Sequence, residues 1–157
     1  MLPIHTILYP TDFSENARYA LPLACSLARD HGAQLIILHV DLPPVSHGEE
    51  VARRQDGSYR EQLWRNLQTV EPPDSSIYVE RVLAEGDPVA EILCVAQEYH
   101  CDLIVMGTHG RTGLRRLLMG SVAEEVVRKA PCPVVTVKNP IPVAQSVPAV
   151  RQQPVGV

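Results

Sequence analysis

Met106-Gly107-Thr108-His109-Gly110-Arg111-Thr112-Gly113, then Leu114 to Met119, then Gly120-Ser121-Val122-Ala123-Glu124, reads as a strand end, a glycine-rich loop and a helix start, in that order. The apolar run Leu103 to Met106 supplies the strand. Ser121 followed three residues later by Glu124 has capping-box spacing, so a helix is expected to begin there with Ser121 as its cap. This arrangement suits an anion. Glycines let backbone amides approach a phosphate, and the helix dipole places roughly half a positive charge at the helix N-terminus. Arg111, Arg115 and Arg116 add side-chain charge to the same loop.

Gly107 and Gly110 enclose two residues, Gly110 and Gly120 enclose nine, and Ser121 follows at once. This G-x2-G-x9-G-S pattern resembles the nucleotide-binding motif of the universal stress protein family, in its ATP-binding branch. The flanks are similar to that family as well: Asp102 to Met106 before the loop, Ser121 to Val127 after it, then Ala130-Pro131-Cys132-Pro133-Val134. The resemblance covers about Ile4 to Val137.

Outward from the motif, strands alternate with helices. Ile4 to Tyr9 reads as a first strand buried on both faces, broken by Pro10-Thr11-Asp12-Phe13-Ser14. Ala17, Ala20, Leu21, Ala24, Leu27 and Ala28 then share a helical face up to a stop at Gly32, with Pro22 expected to kink that helix. Leu35 to Val40 is a second strand without polar alternation, as in a parallel sheet covered on both sides. A loop from Asp41 to about Glu49 leads to a helix over about Glu50 to Val70. Its core stripe is Tyr59, Leu63, Leu67 and Val70, with Trp64 at the edge. Ile77 to Leu83 is a third strand, and its Glu80 and Arg81 suit a sheet edge. Asp87-Pro88 starts a helix that runs to about Tyr99. Leu103 to Met106 is the fourth strand, Val122 to Lys129 the last helix and Val134 to Val137 the fifth strand.

Five such alternations give one α/β domain over residues 1–138, an open, mostly parallel sheet with helices on both faces. Residues 139–157 form a proline-rich tail expected to be disordered. In open sheets of this kind ligands sit beyond the carboxyl ends of strands, where strand order reverses. The resemblance implies the strand order 3-2-1-4-5, a Rossmann-like, adenine nucleotide alpha hydrolase-like fold. The loops after strands one and four would then flank one crevice.

Within that crevice the resemblance implies a role for each of a small set of residues. Pro10, Thr11 and Asp12 line the pocket, and Asp12 can accept from ribose hydroxyls or an adenine amine or, on its own, simply cap the next helix. Val40 offers its backbone N–H and C=O to the adenine edge. Gly107, Gly110, Gly120 and Ser121 cradle phosphate with the amides of Val122 and Ala123, and Met106 packs beside the ligand. Arg111 reaches phosphate and His109 points into the cleft, whereas Arg115 and Arg116 read as a solvated loop face. Gly120 is expected to need a backbone freedom that valine lacks. ATP is the implied ligand, with Mg²⁺ able to accompany the triphosphate through its own oxygens.

The remaining features narrow the function. A 157-residue chain with 45% hydrophobic and 20% charged residues is a globular domain, and its formal charge of −4 argues against nucleic-acid or membrane-surface partners. No apolar run approaches the roughly 20 residues of a membrane span, and no signal pattern opens the chain, so a cytoplasmic setting is expected. Cys25, Cys94, Cys101 and Cys132 form no CxxC pair and read as free, mostly buried thiols. The six histidines lack metal-ligand spacing. There is no G-x-x-x-x-G-K-[ST] loop, no G-x-G-x-x-G turn after the first strand and no G-x-S-x-G elbow. The expected function is an ATP-binding universal stress protein acting as a sensor or regulatory module. The alternative is a slow ATP hydrolase, for which the sequence nominates no base. The resemblance also implies a homodimer through Val134-Val135-Thr136-Val137, an apolar edge strand open to pairing with its copy.

Overall fold

The computed structural model describes residues 3–43, 57–109 and 119–139. The described chain runs β1 (Thr6–Pro10), α1 (Glu15–Arg18), α2 (Leu21–His31), β2 (Gln34–Asp41), α3 (Ser58–Gln68), β3 (Val79–Glu85), α4 (Pro88–Glu98), β4 (Leu103–Gly107), α5 (Ser121–Lys129) and β5 (Val134–Val137). All strand pairs are parallel and the order is β3-β2-β1-β4-β5, as the resemblance implied.

Both faces of the central strands are covered, which is why β1, β2 and β4 lack polar alternation. Ile7, Tyr9, Leu35, Ile37 and Val105 pack against Ala20, Ala24 and Ala28 around α2 and Leu67 of α3. On the opposite face Leu8, Ile36, Leu38, Ile104 and Met106 pack against Val89, Ile92 and Val95 of α4 and Ala123 and Val126 of α5. The small side chains along α2 let it lie close to the sheet. β3 is an edge strand, and its polar residues tie it to its neighbours. Glu80 accepts from Gln34 Nε2 (2.7 Å) and from the Tyr99 hydroxyl (2.8 Å). The Arg81 guanidinium donates to the carbonyls of Leu67 and Val70, capping the end of α3 with positive charge.

Several boundaries differ from the sequence reading. The stretch read as one kinked helix is two: α1 ends at Arg18, and Pro22 sits in the first turn of α2. A proline there costs nothing, because that N–H has no intrahelical partner. Gly32 closes α2 in the left-handed conformation (φ 63°) as expected. Asp87 caps α4 by accepting from the Ala90 amide at 2.9 Å. The expected loop and helix start over 44–56 lie outside the described residues, as does the tail from 140.

Candidate functional site

The crevice originates at Pro10. β1 pairs with β4 only through Ile7↔Leu103 and Leu8↔Ile104, although β4 continues to Gly107. In this register the next rung would be an N–H of residue 10 donating to the Val105 carbonyl. Proline has no N–H, so the ladder stops and the two strands part. On its other side β1 keeps one more bond to β2, from the Thr11 amide to the Leu38 carbonyl at 2.8 Å. Backbone groups of a strand residue point to one side and alternate along the chain. Leu38 faces β1, so Val40 faces the same side, past the last β1 pair. By the same alternation Gly107 faces inward, because the Thr108 amide bonds outward to Val137. The N–H and C=O groups of Val40 and Gly107 therefore look at each other across the space that β1 vacates.

The loop that leaves β1 is latched in place. Thr11 Oγ1 accepts from the Phe13 amide (3.1 Å), Asp12 Oδ1 from the Ser14 amide (3.0 Å) and Ser14 Oγ from the Ala17 amide (3.2 Å). Ser14, not Asp12, is thus the cap of α1, and Asp12 both anchors the loop and borders the cleft. Phe13 adopts φ 63°, unusual for a side chain of its size, and stacks on buried His39 with ring centroids 4.1 Å apart. His39 Nδ1 donates to the Thr11 carbonyl at 2.8 Å, which fixes the proton on that nitrogen because a carbonyl only accepts. Below the loop the Tyr9 hydroxyl donates to the Ala17 carbonyl at 2.8 Å. Burial, helped by the Asp12 carboxylate, pushes that phenol up to about 12, so it remains a neutral donor.

Opposite this loop, Thr108 sets the position of α5. Its amide donates to Val137, its carbonyl accepts from the Gly120 amide at 2.6 Å, and its side chain is buried. The helix start is therefore held at the end of β4 by a direct bond. Gly120 is the N-cap and Ser121 the first helical residue, which corrects the expected capping box. The amides of Ser121, Val122 and Ala123 consequently have no acceptor inside the helix and no side-chain cap from Gly120. Gly120 lies at φ −71°, ψ 158°, ordinary extended backbone, so no conformational freedom is needed there. Gly107 is the glycine with a steric reason. A Cβ on it would stand 2.8 Å from the Asn16 carbonyl oxygen. Thr108 Oγ1 is 2.9 Å from His109 Nδ1 and orients that ring at the cleft wall.

These ends enclose a cleft of about 380 Å³. Pro10, Thr11 and Asp12 contribute from β1 and its loop, Val40 from β2, Met106, Gly107 and His109 from β4 and its end, and Gly120, Ser121, Val122 and Ala123 from the start of α5. Gly110 and Arg111, like Arg115 and Arg116, lie outside the described residues. The walls also contain residues that sequence reasoning passed over: Asp41, Leu42, Tyr59, Pro88, Ile92 and Thr108. Tyr59, expected in the core stripe, is half-buried and its hydroxyl donates to Asp41 Oδ1 at 3.0 Å. The signal for Asp41 and Thr108 was adjacency, each following a residue already placed in the site. A wider, more open groove between Arg60, Trp64, Arg81 and Tyr99 shares no lining residue with this cleft.

Among the described residues no group of three or more His, Cys, Asp and Glu could hold a metal ion, and no helix is long and apolar enough to cross a membrane. The four cysteines are free; Cys25 and Cys101 are buried, Cys132 is half-buried and Cys94 is exposed.

A parallel sheet with a cleft where its strand order reverses is the doubly wound α/β architecture, in which ligands are held at such a reversal. Sequence comparison narrows the class: a profile of the Universal stress protein family matches residues 3–138, and the chain belongs to that family. It is 36% identical over 141 residues to universal stress protein MJ0531 of Methanocaldococcus jannaschii, covering 85% of this chain and 82% of the relative. Among solved structures it is similar to universal stress protein UspA from Lactobacillus plantarum, with a TM-score of 0.71, 26% identity and coverage of 87% and 99%. It is also similar to a universal stress protein crystallised in complex with cAMP, with a TM-score of 0.59, 25% identity and coverage of 87% and 98%.

Proposed function

We propose that the chain binds an adenine nucleotide, ATP in particular, in this cleft and uses occupancy to bias its shape or assembly, as a regulatory module in the stress response. The observation that carries this reading is the pair of unlike ends facing each other across the vacated β1 position. The start of α5 offers the amides of Ser121, Val122 and Ala123 with no side-chain cap from Gly120, a setting for phosphate. The Val40 backbone offers one donor and one acceptor, a setting for the edge of a base. β2 and β4 are two interstrand spacings apart, roughly 10 Å, a span that a nucleotide bridges from base to phosphate. The volume lies within the ~300–1,000 Å³ range of small-molecule sites. The cAMP carried by the similar universal stress protein is itself an adenine nucleotide. Mg²⁺ would be held by the triphosphate's own oxygens and water, with few protein ligands.

The test begins with the protein as purified. It is denatured, any released nucleotide is identified by mass spectrometry, and the emptied chain is titrated with ATP and Mg²⁺ while phosphate is assayed. Bound ATP without turnover is the expected result. Steady phosphate release would move the reading to a slow hydrolase, with the Thr108-oriented His109 as the first group to mutate. Absence of any nucleotide binding would refute both.

We further propose that two chains pair through β5. Its residues are half-buried and it is the last strand of the sheet, with one side unpaired by other strands of the described chain. Light scattering is expected to give a dimer; a monomer at tens of micromolar, an ordinary range for stable association, would refute the pairing.

A further inference from the structure

The sheet has a second open edge, at β3, which is the terminal strand on the side away from β5. Its backbone groups alternate in direction. The Leu35 amide donates to the Tyr78 carbonyl and the Gly86 amide to the Asp41 carbonyl, both at 2.9 Å, so the even-numbered residues of β3 face β2. The N–H and C=O groups of Arg81 and Leu83 therefore point outward, with no strand partner among the described residues. An open groove runs along them. Arg60, Glu61 and Trp64, on one stripe of α3, form one bank. Tyr99, which packs against the opposite face of the sheet, forms the other. Trp64 is 39% exposed, and the Tyr99 ring is held by its hydroxyl bond to Glu80. Charge differs between the banks. Glu61 Oε2 lies 3.5 Å from Arg65 Nη2, which leaves Arg60 and Arg81 without a carboxylate partner among the described residues. Arg81 spends two N–H groups on the Leu67 and Val70 carbonyls, which fix the guanidinium without cancelling its charge. On the other bank Glu80 and Glu98 both act electrostatically on Tyr99, so that side repels a further carboxylate.

We propose that the β3 edge is a docking site for an extended acidic peptide of a partner protein, taken up as an added strand whose carboxylates lie on the α3 face and whose apolar residues lie toward Tyr99. Bonds to the outward groups of Arg81 and Leu83 supply affinity that is independent of sequence, and the two banks supply the choice of side chains. Side chains directly opposite each other on neighbouring strands share a face, so an acidic residue opposite Arg81 meets its guanidinium. An inward charge on an edge strand ordinarily blunts pairing. Here it becomes selective, because the strand that neutralises it is the strand admitted. Other occupants fit the charge poorly. A second copy paired symmetrically through β3 would bring the Arg60 and Arg81 cations of both chains together. The proline-rich segment 139–157 contains no acidic residue, so it brings no carboxylate to the groove.

The test is fluorescence anisotropy of the full chain with labelled heptapeptides at low salt. One alternates glutamate and valine, and its counterpart alternates lysine and valine. Two more are the glutamate peptide N-methylated at every glutamate or at every valine. The glutamate peptide is expected to bind at least about tenfold more tightly than the lysine peptide, as opposite and like charges across an interface should. Only one set of peptide amides can face β3, so one methylated peptide should lose about tenfold or more and the other should keep most of its affinity. Arg60→Glu, an exposed change checked by circular dichroism, should weaken the glutamate peptide by about fivefold, the scale of a surface charge pair. Equal affinity for the two charge types, an equal response to the two methylations, or no binding of the glutamate peptide at roughly 1 mM, the weak end of specific association, would overturn the assignment. Light scattering that shows self-association of the peptide-free chain altered by Arg60→Glu would assign the edge to a second copy and overturn it as well.

Discussion

Replacing Gly107 by alanine should weaken the protein by driving α1 off the sheet. The added Cβ would lie 2.8 Å from the Asn16 carbonyl oxygen, 3.2 Å from its carbon and 3.4 Å from Ala17 Cα. All three are backbone atoms, so no side chain can swing aside. Relief requires α1 to retreat by about half an ångström, and overpacking of this kind costs about 1–3 kcal/mol. For a domain of this size each kcal/mol lowers Tm by roughly 2–4 °C, which gives an expected loss of about 2–12 °C. The displacement also reaches the cleft. Ala17 carries the carbonyl that holds the Tyr9 hydroxyl, and its amide is held by Ser14, whose own amide is held by Asp12. ATP affinity should therefore fall together with stability. The assay is a thermal melt with and without ATP, run beside Gly57→Ala, whose Cβ would meet nothing within 4 Å. A Gly107→Ala protein melting within about 1 °C of wild type, inside the small-effect range of surface substitutions, would show that α1 does not bear on β4 as described.

Three further outcomes follow from local geometry. Asp87→Ala removes the cap on the Ala90 amide and should cost about 1 kcal/mol, read as a lowered urea midpoint with an unchanged m-value. Gly32→Ala places a side chain at φ 63° in open space, so backbone strain alone should cost about 1 kcal/mol; an unchanged midpoint would contradict that cap geometry. Burial raises the Tyr9 phenol and the Cys101 thiol to about 12 from ordinary values of 10.0 and 9.0. The unfolded chain then releases these protons first, so stability is full below about pH 9 and declines as pH rises toward 12. Melts between pH 8 and 11 should show Cys101→Ala flattening the early part of that decline and Tyr9→Phe the later part; a pH-independent Tm in the wild type would refute the assignment.

Much of the fold was legible because its signals are local. Uninterrupted apolar runs marked the central strands, Asp87-Pro88 marked a helix start and Gly32 a helix end. Polar Glu80 and Arg81 marked the edge strand. What stayed hidden depends on partners distant in sequence. The break between α1 and α2 leaves Ala17 and Ala20 both buried, so alanine spacing cannot distinguish it from a continuous helix. Ser121 and Glu124 have capping-box spacing, yet the Gly120 amide bonds to the Thr108 carbonyl and shifts the cap by one residue. Tyr59 has the helical phase of a core residue, and only the position of Asp41 shows why its hydroxyl turns to the cleft. For Gly107 the motif was right, but the reason for glycine is contact with Asn16, which no local pattern encodes.

The cleft is a product of unequal strand lengths more than of any one loop. β2 and β4 overrun β1, and each has its outer flank fastened: Val40 and Asp41 are paired with Ala84 and Glu85, and Met106 and Gly107 with Thr136 and Val137. Outer ladders of this kind hold the two walls at a fixed separation whatever occupies the middle. On the inner side Pro10 lacks the donor for the next rung, and Thr11 turns aside with its carbonyl taken by His39. Backbone groups of Val40, Val105 and Gly107 are thus aimed where a longer β1 would have met them. A planar ligand with a donor and an acceptor on its edge can take up those positions as the missing strand residues would, so recognition here extends the hydrogen-bonding logic of the sheet itself. Among the described residues, the amides at the start of α5 depart from that logic, because they point from a helix end and not from a strand.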